Sequence, residues 1–425
     1  MGDYNNLTPE EEARRRAEKI NAIKNSVRSA ESGGIAENPQ RQPKPVRQPA
    51  NNQAKKKGSQ NRKSSSSGKK KPVKKKKSLA TKFRELFPEK QDSILEKIRK
   101  IVFLCSIVAI VVCGYLVGDY YLDLWKNKRL NNSLVEIHNI YDDSGDDTNQ
   151  TGEESEKYYR IMDGAKKLLD INSDTVGWIR IPDTPVDYPV VKASNNDKYL
   201  DMSFNGAENR AGSIFMDYRC HFDEVWDHHL VTENSDNIVI YGHNMMDASM
   251  FGSLNYYHSY SEDYYSQHPI VELNSNYEKY KYKIFAFFIV DAQDESDTKY
   301  DCWNNFDFGD EQEFYDFVNE AKKRTMRLND VDVQYGDKIL TLSTCNTLLG
   351  ERSRFIVMAR LVRNGEDLYS GTQTSKANTN IKWPNMYYQS HSYERYDPNA
   401  PFVPYGPAKT EETPENIAEQ PEGEN

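Results

Sequence analysis

The longest apolar run in the chain, IVFLCSIVAIVVCGYLV over residues 101–117, carries no charge. It sits at the lower limit for a membrane-spanning helix, which needs about 20 residues; Gly118 or slight bilayer thinning closes the gap. Being apolar on every face, it predicts a membrane span and not a surface helix. Further on the pattern changes. Tyr158, Met162, Ala165 and Leu169 recur at i, i+4, i+7 and i+11, which predicts a helix over 153–170. From Gly177 to Arg363 the chain breaks into short runs rich in Val, Ile, Phe and Tyr: GWIRIP, DYPVV, GSIFMD, NIVIYG, KYKIFAFFIV, KILTLSTC and RFIVMARLV. Gly, Pro, Asn and Asp separate them, so they read as strands. One helix interrupts the series, because Phe314, Phe317, Val318 and Ala321 follow i, i+3, i+4, i+7 within 310–325. Many strands with regular breaks and few helices predict a mainly β domain, a barrel or a sandwich, over 153–365.

Charge separates the remaining segments. Residues 1–100 hold 27 Lys and Arg against 11 Asp and Glu, whereas the rest of the chain holds 29 against 54. The net charge of −9 thus averages a basic tail and an acidic body. The tail, with Lys69–Lys71 and Lys74–Lys77, has too few large apolar residues to offset its chain entropy and reads as largely disordered. Beside a membrane span, its lysines suit anionic lipid head groups. Nucleic acid is not expected, since no aromatic residues interleave with the lysines. Lys97, Arg99 and Lys100 add to the positive flank before the span, against Lys126, Lys128 and Arg129 after it. The positive-inside rule then puts the N-terminus in the cytoplasm and the β domain outside, behind an uncleaved anchor at 101–118. Residues 119–152, ending in DDSGDDTNQTG, read as a polar stalk, and 366–425 as an irregular or disordered tail in which Tyr387, Tyr388, Tyr393 and Tyr396 stand out.

The chemistry lies at strand ends. Five cysteines are far apart, without a CxxC pair or zinc-ligand Cys/His spacing, so neither a metal site nor a disulfide scaffold is expected; a bridge between Cys220 and Cys302 stays open. Cys345 closes the run ILTLSTC, where a cleft can form. A thiolate is the effective nucleophile, and it needs a basic or cationic neighbour. His243 follows NIVIYG at another strand end, upstream in sequence but free to be adjacent in space. Arg354 opens RFIVMARLV. The short loop after Cys345 would return that strand antiparallel, bringing a permanently charged guanidinium near the thiol. It could steady a thiolate or an oxyanion; Arg352 is a rival for that role.

These motifs taken together resemble the sortases. TLSTC followed by an Arg-initiated strand, with YGHNM upstream, carries the likeness over about residues 155–365. GWIRIP, DYPVV, NNDKYL, GSIFMDYR, YGHNMMDASMFGSL, YYSQHPIVEL and KILTLSTC, with the helix before the cysteine strand, point to class B. The resemblance implies a closed eight-stranded β-barrel with an N-terminal helix and an inserted helix. It implies a cysteine transpeptidase that cuts a C-terminal sorting signal of exported proteins (NPQTN-, SPKTG- or PPKTG-like) through a thioester. An amine of peptidoglycan or its lipid-linked precursor then takes the acyl group, with no cofactor. By motif, Cys345 is the nucleophile, His243 the general acid/base and Arg354 the oxyanion or substrate stabiliser. Ser343, Thr344, Tyr241, Asn196 and Tyr300 are implied as groove residues. The competing activities are a cell-wall thiol peptidase or amidase, which usually sets a third polar residue on the histidine, and a pilin-polymerising sortase.

Overall fold

The computed structural model describes residues 86–142, 157–259, 264–294, 299–346 and 348–407. The lysine-rich tail up to residue 85 and the acidic end of the expected stalk lie outside the described residues. Two compact units are present; among the described residues one ends at Leu122 and the other begins at Asp123. Helix α1 (Ile94–Asp142) contributes to both. Its apolar run is exposed, and the helix is long and apolar enough to cross a membrane.

The second unit continues with α2 (Asp163–Leu169), β1 (Thr175–Arg180), β2 (Asp187–Val191) and β3 (Ile214–Met216). The small hairpin of β4 (Val225–Trp226) and β5 (His229–Leu230) precedes β6 (Asn237–Tyr241). Two single-turn helices, α3 (Tyr256–Ser259) and α4 (Tyr264–Gln267), lead to β7 (Ile270–Ser275) and the long β8 (Lys279–Asp291). Helix α5 (Glu311–Arg324), β9 (Arg327–Asn329), β10 (Ile339–Cys345), β11 (Ser353–Leu361), β12 (Ser375–Ala377) and α6 (Asn385–Ser390) complete it.

Eight strands close into a barrel in the order β1-β2-β3-β6-β10-β11-β8-β7, with β7 pairing back onto β1. All seven apolar runs form strands. The eighth, β7, alternates buried and half-buried residues, and its Glu272 and Asn274 kept it from standing out as an apolar run. Helix α5 starts where expected because Asp310 accepts a 2.9 Å hydrogen bond from the Glu313 N–H while Glu313 accepts one from the Gly309 N–H at 2.8 Å. Its apolar stripe covers the outer face of β8, β10 and β11, packing Phe314 and Val318 against Phe288, Ile339, Ile356 and Met358.

Three expectations need correcting. The helix expected over 153–170 begins only at Asp163, because the N–H groups of Tyr159 and Met162 are spent on the carbonyls of His228 and Asn276. The expected polar stalk is helical through Asp142, and Leu130, Leu134 and Ile137 bury against Leu168, Trp178 and Phe204. Their i, i+4, i+7 spacing is a helical stripe diluted by polar neighbours. The expected irregular tail is laid on the domain as far as Pro407. There β12 pairs with β9, Glu366 pairs with Lys283 at 2.7 Å, and Tyr405 is buried; residues 408–425 lie outside the described set.

Candidate active site

Strand alternation decides what shares a face. On β10, Ile339, Thr341, Ser343 and Cys345 point to the outer side of the barrel wall, where Ile339 meets α5. Leu340, Leu342 and Thr344 point the other way. The β10–β11 register sets Cys345 opposite Arg354. The parallel β6–β10 register sets Tyr241 beside Ser343, and Gly242 N–H continues the ladder to the Ser343 carbonyl at 3.2 Å. That register ends there; His243 lies two residues past Tyr241, in the loop after β6, as Cys345 lies two past Ser343 on β10. The end of β10 and the start of β11 thus pair the cysteine with the arginine, and the loop leaving the parallel β6 carries the histidine at the same end of the barrel.

Each has a local support. Cys345 is exposed, and the turn behind it is pinned: Asn346 donates to Asn255 Oδ1 at 2.7 Å, and Ser353 Oγ donates to the Asn346 carbonyl at 2.7 Å. A side chain at Gly242 would collide with Ile214 and Phe251, so the strand can turn into His243 only without one. His243 Nε2 lies 2.8 Å from the Leu200 carbonyl oxygen. A carbonyl only accepts, so Nε2 carries the proton and Nδ1 is left to exchange one. Arg354 donates to the carbonyls of Glu351 (2.8 Å) and Ser353 (3.0 Å), and among the described residues no carboxylate pairs with it. Arg352, its rival, is forked onto Asp291 by Nε at 3.0 Å and by Nη2.

The remaining expected groove residues sit differently. Tyr241 shares the face and donates its hydroxyl to Asp217 at 2.9 Å. Ser343 is covered by the Trp303 indole, whose Nε1–H donates to Ser343 Oγ at 3.1 Å. Thr344 turns its hydroxyl to the barrel interior, where Oγ1 is buried without a partner among the described residues, so only its backbone belongs to the cysteine end. Asn196 contacts Asp217, not the strand ends, donating at 2.8 Å. Tyr300 is packed between α5 and β8 against Phe288 and Phe317, with its hydroxyl given to the Phe317 carbonyl at 3.1 Å; that bond and packing employ it structurally. Asp217 and Trp303 were missed by sequence reasoning. GSIFMDYR contains Asp217 and its partner Arg219, but the other partners, Asn196 and Tyr241, come from two separate segments.

A sortase-domain family model matches residues 179–362. Sortase B of Listeria monocytogenes is 31% identical over 264 residues, covering 61% of this chain and 97% of that protein. The chain belongs to the sortase family, class B. Sortase B of Staphylococcus aureus agrees, at 28% identity over 270 residues, 63% of this chain and 98% of the relative. Among solved structures, a Staphylococcus aureus sortase B–substrate complex is 26% identical with a TM-score of 0.47, covering 57% of this chain and all of that one. As a class B sortase, the protein is a cysteine transpeptidase that anchors surface proteins to the cell wall. The matched domain ends at Val362, so the folded C-terminal segment lies beyond it.

Proposed function

We propose that Cys345, His243 and Arg354 carry the transpeptidation. The observation that supports this is the pairing of Cys345 with Arg354 across β10 and β11, beside the parallel β6–β10 register that delivers the chain to His243 just past Tyr241. The Cys345 thiol gives its proton to His243 Nδ1 and sulfur bonds to the scissile carbonyl carbon of the sorting signal. Arg354 faces the oxygen that gains negative charge. The C–N bond breaks as His243 returns the proton to the leaving amine, and a thioester remains. A wall-precursor amine then bonds to the acyl carbon, its proton passes to His243, and the C–S bond breaks as Cys345 regains a proton. The N-terminus lies in the cytoplasm with its lysines on anionic lipid, and the barrel faces the wall.

The test is cleavage of quenched fluorescent peptides carrying NPQTN-, SPKTG- and PPKTG-like signals, with and without an amine acceptor. Cys345→Ala and His243→Ala should lose turnover and Arg354→Ala should lose at least about a hundredfold in kcat. Arg352→Ala should leave kcat near that of the parent, since its guanidinium is committed to Asp291. Acceptor should convert the hydrolysis product to an aminolysis product. Hydrolysis unchanged by saturating acceptor would favour a thiol peptidase, and turnover surviving Cys345→Ala would refute the site.

A further inference from the structure

The last part of α1 reaches the histidine from two directions. Asn127 is 8% exposed and donates its Nδ2–H to Met250 Sδ at 3.4 Å. Met250 is 2% exposed and has a left-handed backbone, φ 55°, as does Ala248 at φ 63°. A bulky side chain holds that conformation only where its surroundings impose it. Here the Met250 N–H is taken by Tyr188 Oη at 2.9 Å, and Met250 bridges back to Asn244. The Phe251 N–H then closes the loop on the His243 carbonyl at 2.9 Å. Asn127 thus grips the far side of the loop that starts at His243.

The second contact is one helical turn earlier. Asp123 accepts from Arg210 Nε at 2.8 Å, and its carbonyl accepts from Asn209 Nδ2 at 3.3 Å. Asn209 N–H bonds to the Asp201 carbonyl at 2.9 Å and Ser213 N–H to the Tyr199 carbonyl at 3.0 Å. These bonds clamp Leu200, whose carbonyl holds His243 Nε2. Gly212 in the same clamp has φ 58°, and a Cβ there would strike the Leu200 carbonyl. Residues 123 and 127 are i, i+4 neighbours on one helix face.

We propose that Asp123 and Asn127 are positioning residues for His243: one turn of α1, just past the apolar run, fixes both the loop bearing the imidazole and the carbonyl that orients it. The proposal rests on His243 as the acid/base. It makes this turn part of the machinery of proton transfer, beyond its service as a tether.

The experiment uses the full chain in detergent, with kcat, KM and unfolding midpoint measured for Asn127→Leu, Asp123→Ala, Arg210→Ala and the double variant, beside His243→Ala. Asn127→Leu keeps the branched outline of the side chain, in a somewhat larger volume, and removes the donor. It should lower kcat about tenfold with KM within about twofold, because a small misplacement of a catalytic group acts on the chemical step. Asp123→Ala and Arg210→Ala should each lower kcat about threefold, and the double variant no further, as for two halves of one contact. Parent kcat in Asn127→Leu, losses that appear in KM, or strictly additive losses in the double variant would overturn the proposal. A kcat loss accounted for by the unfolded fraction at assay temperature would do the same. Should His243→Ala retain turnover, the acid/base reading itself falls; should it be dead while Asn127→Leu is normal, only the positioning role does.

Discussion

Asp217 explains how a groove face can be stiff without apolar packing. It is fully buried and accepts from Arg219 Nε (2.9 Å) and Nη2 (2.8 Å), from Asn196 and from Tyr241. Burial alone would raise its pKa, yet the bonds from Arg219, Asn196 and Tyr241 outweigh it and hold the carboxyl below its ordinary value. A depressed carboxyl stabilises the fold above the unfolded-state pKa, about 4, and that stability is lost as pH falls through the folded value. Asp217→Asn should therefore melt lower than the parent at pH 7, with the gap narrowing below about pH 4; thermal melts across that range check it, and a constant gap would contradict it. At this scale the three side chains proposed to react could be singled out because each stands at the tip of a strand-like run. Asp217 was not, since residues 196, 219 and 241 meet only after folding. Thr344 was misjudged for a simpler reason: adjacent strand residues point to opposite faces.

At the scale of elements, the C-terminal segment behaves as a strap over α5. Tyr405 sits edge-on to Phe285 with centroids 6.0 Å apart, and Lys322 Nζ lies 3.8 Å above its ring. Asn319 brackets its backbone, accepting from the Tyr405 N–H at 2.7 Å and donating to its carbonyl at 3.2 Å. Tyr405→Ala should cost about 3 kcal/mol, the usual range for emptying an aromatic site. Urea unfolding of the parent and variant measures this, and a midpoint shift near zero would mean the strap is peripheral. The barrel strands and α5 could be read from periodicity because their burial is regular. The strap could not. Its strand β12 is three residues long, and its anchors are single side chains such as Glu366 and Tyr405. The end of α1 was missed because its stripe of Leu130, Leu134 and Ile137 is separated by Asn, Ser and Glu.

For the whole molecule, closure of β7 onto β1 leaves the eight-stranded sheet no free edge, so the wall that presents Cys345 is hydrogen-bonded all round. The other two thiols of the second unit are covered: Cys302 lies in the cluster under α5, and Cys220 Sγ lies 3.3 Å from the Val239 nitrogen. Cys220 and Cys302 are unbridged and fully buried; burial pushes the Cys220 thiol up to about 12 and raises that of Cys302 as well. Neither offers thiolate near neutral pH. Cys105 and Cys113 are free and lie in the apolar run, so a membrane-impermeant maleimide applied at neutral pH to the chain inserted in a lipid bilayer should label one cysteine per molecule, Cys345, and activity should fall as that label is gained. Intact-mass spectrometry reads the count, and a second fast adduct would contradict it. On the role proposed for Cys345, that adduct is an active-site titrant: weighing it gives the fraction of competent molecules in a preparation, without a substrate.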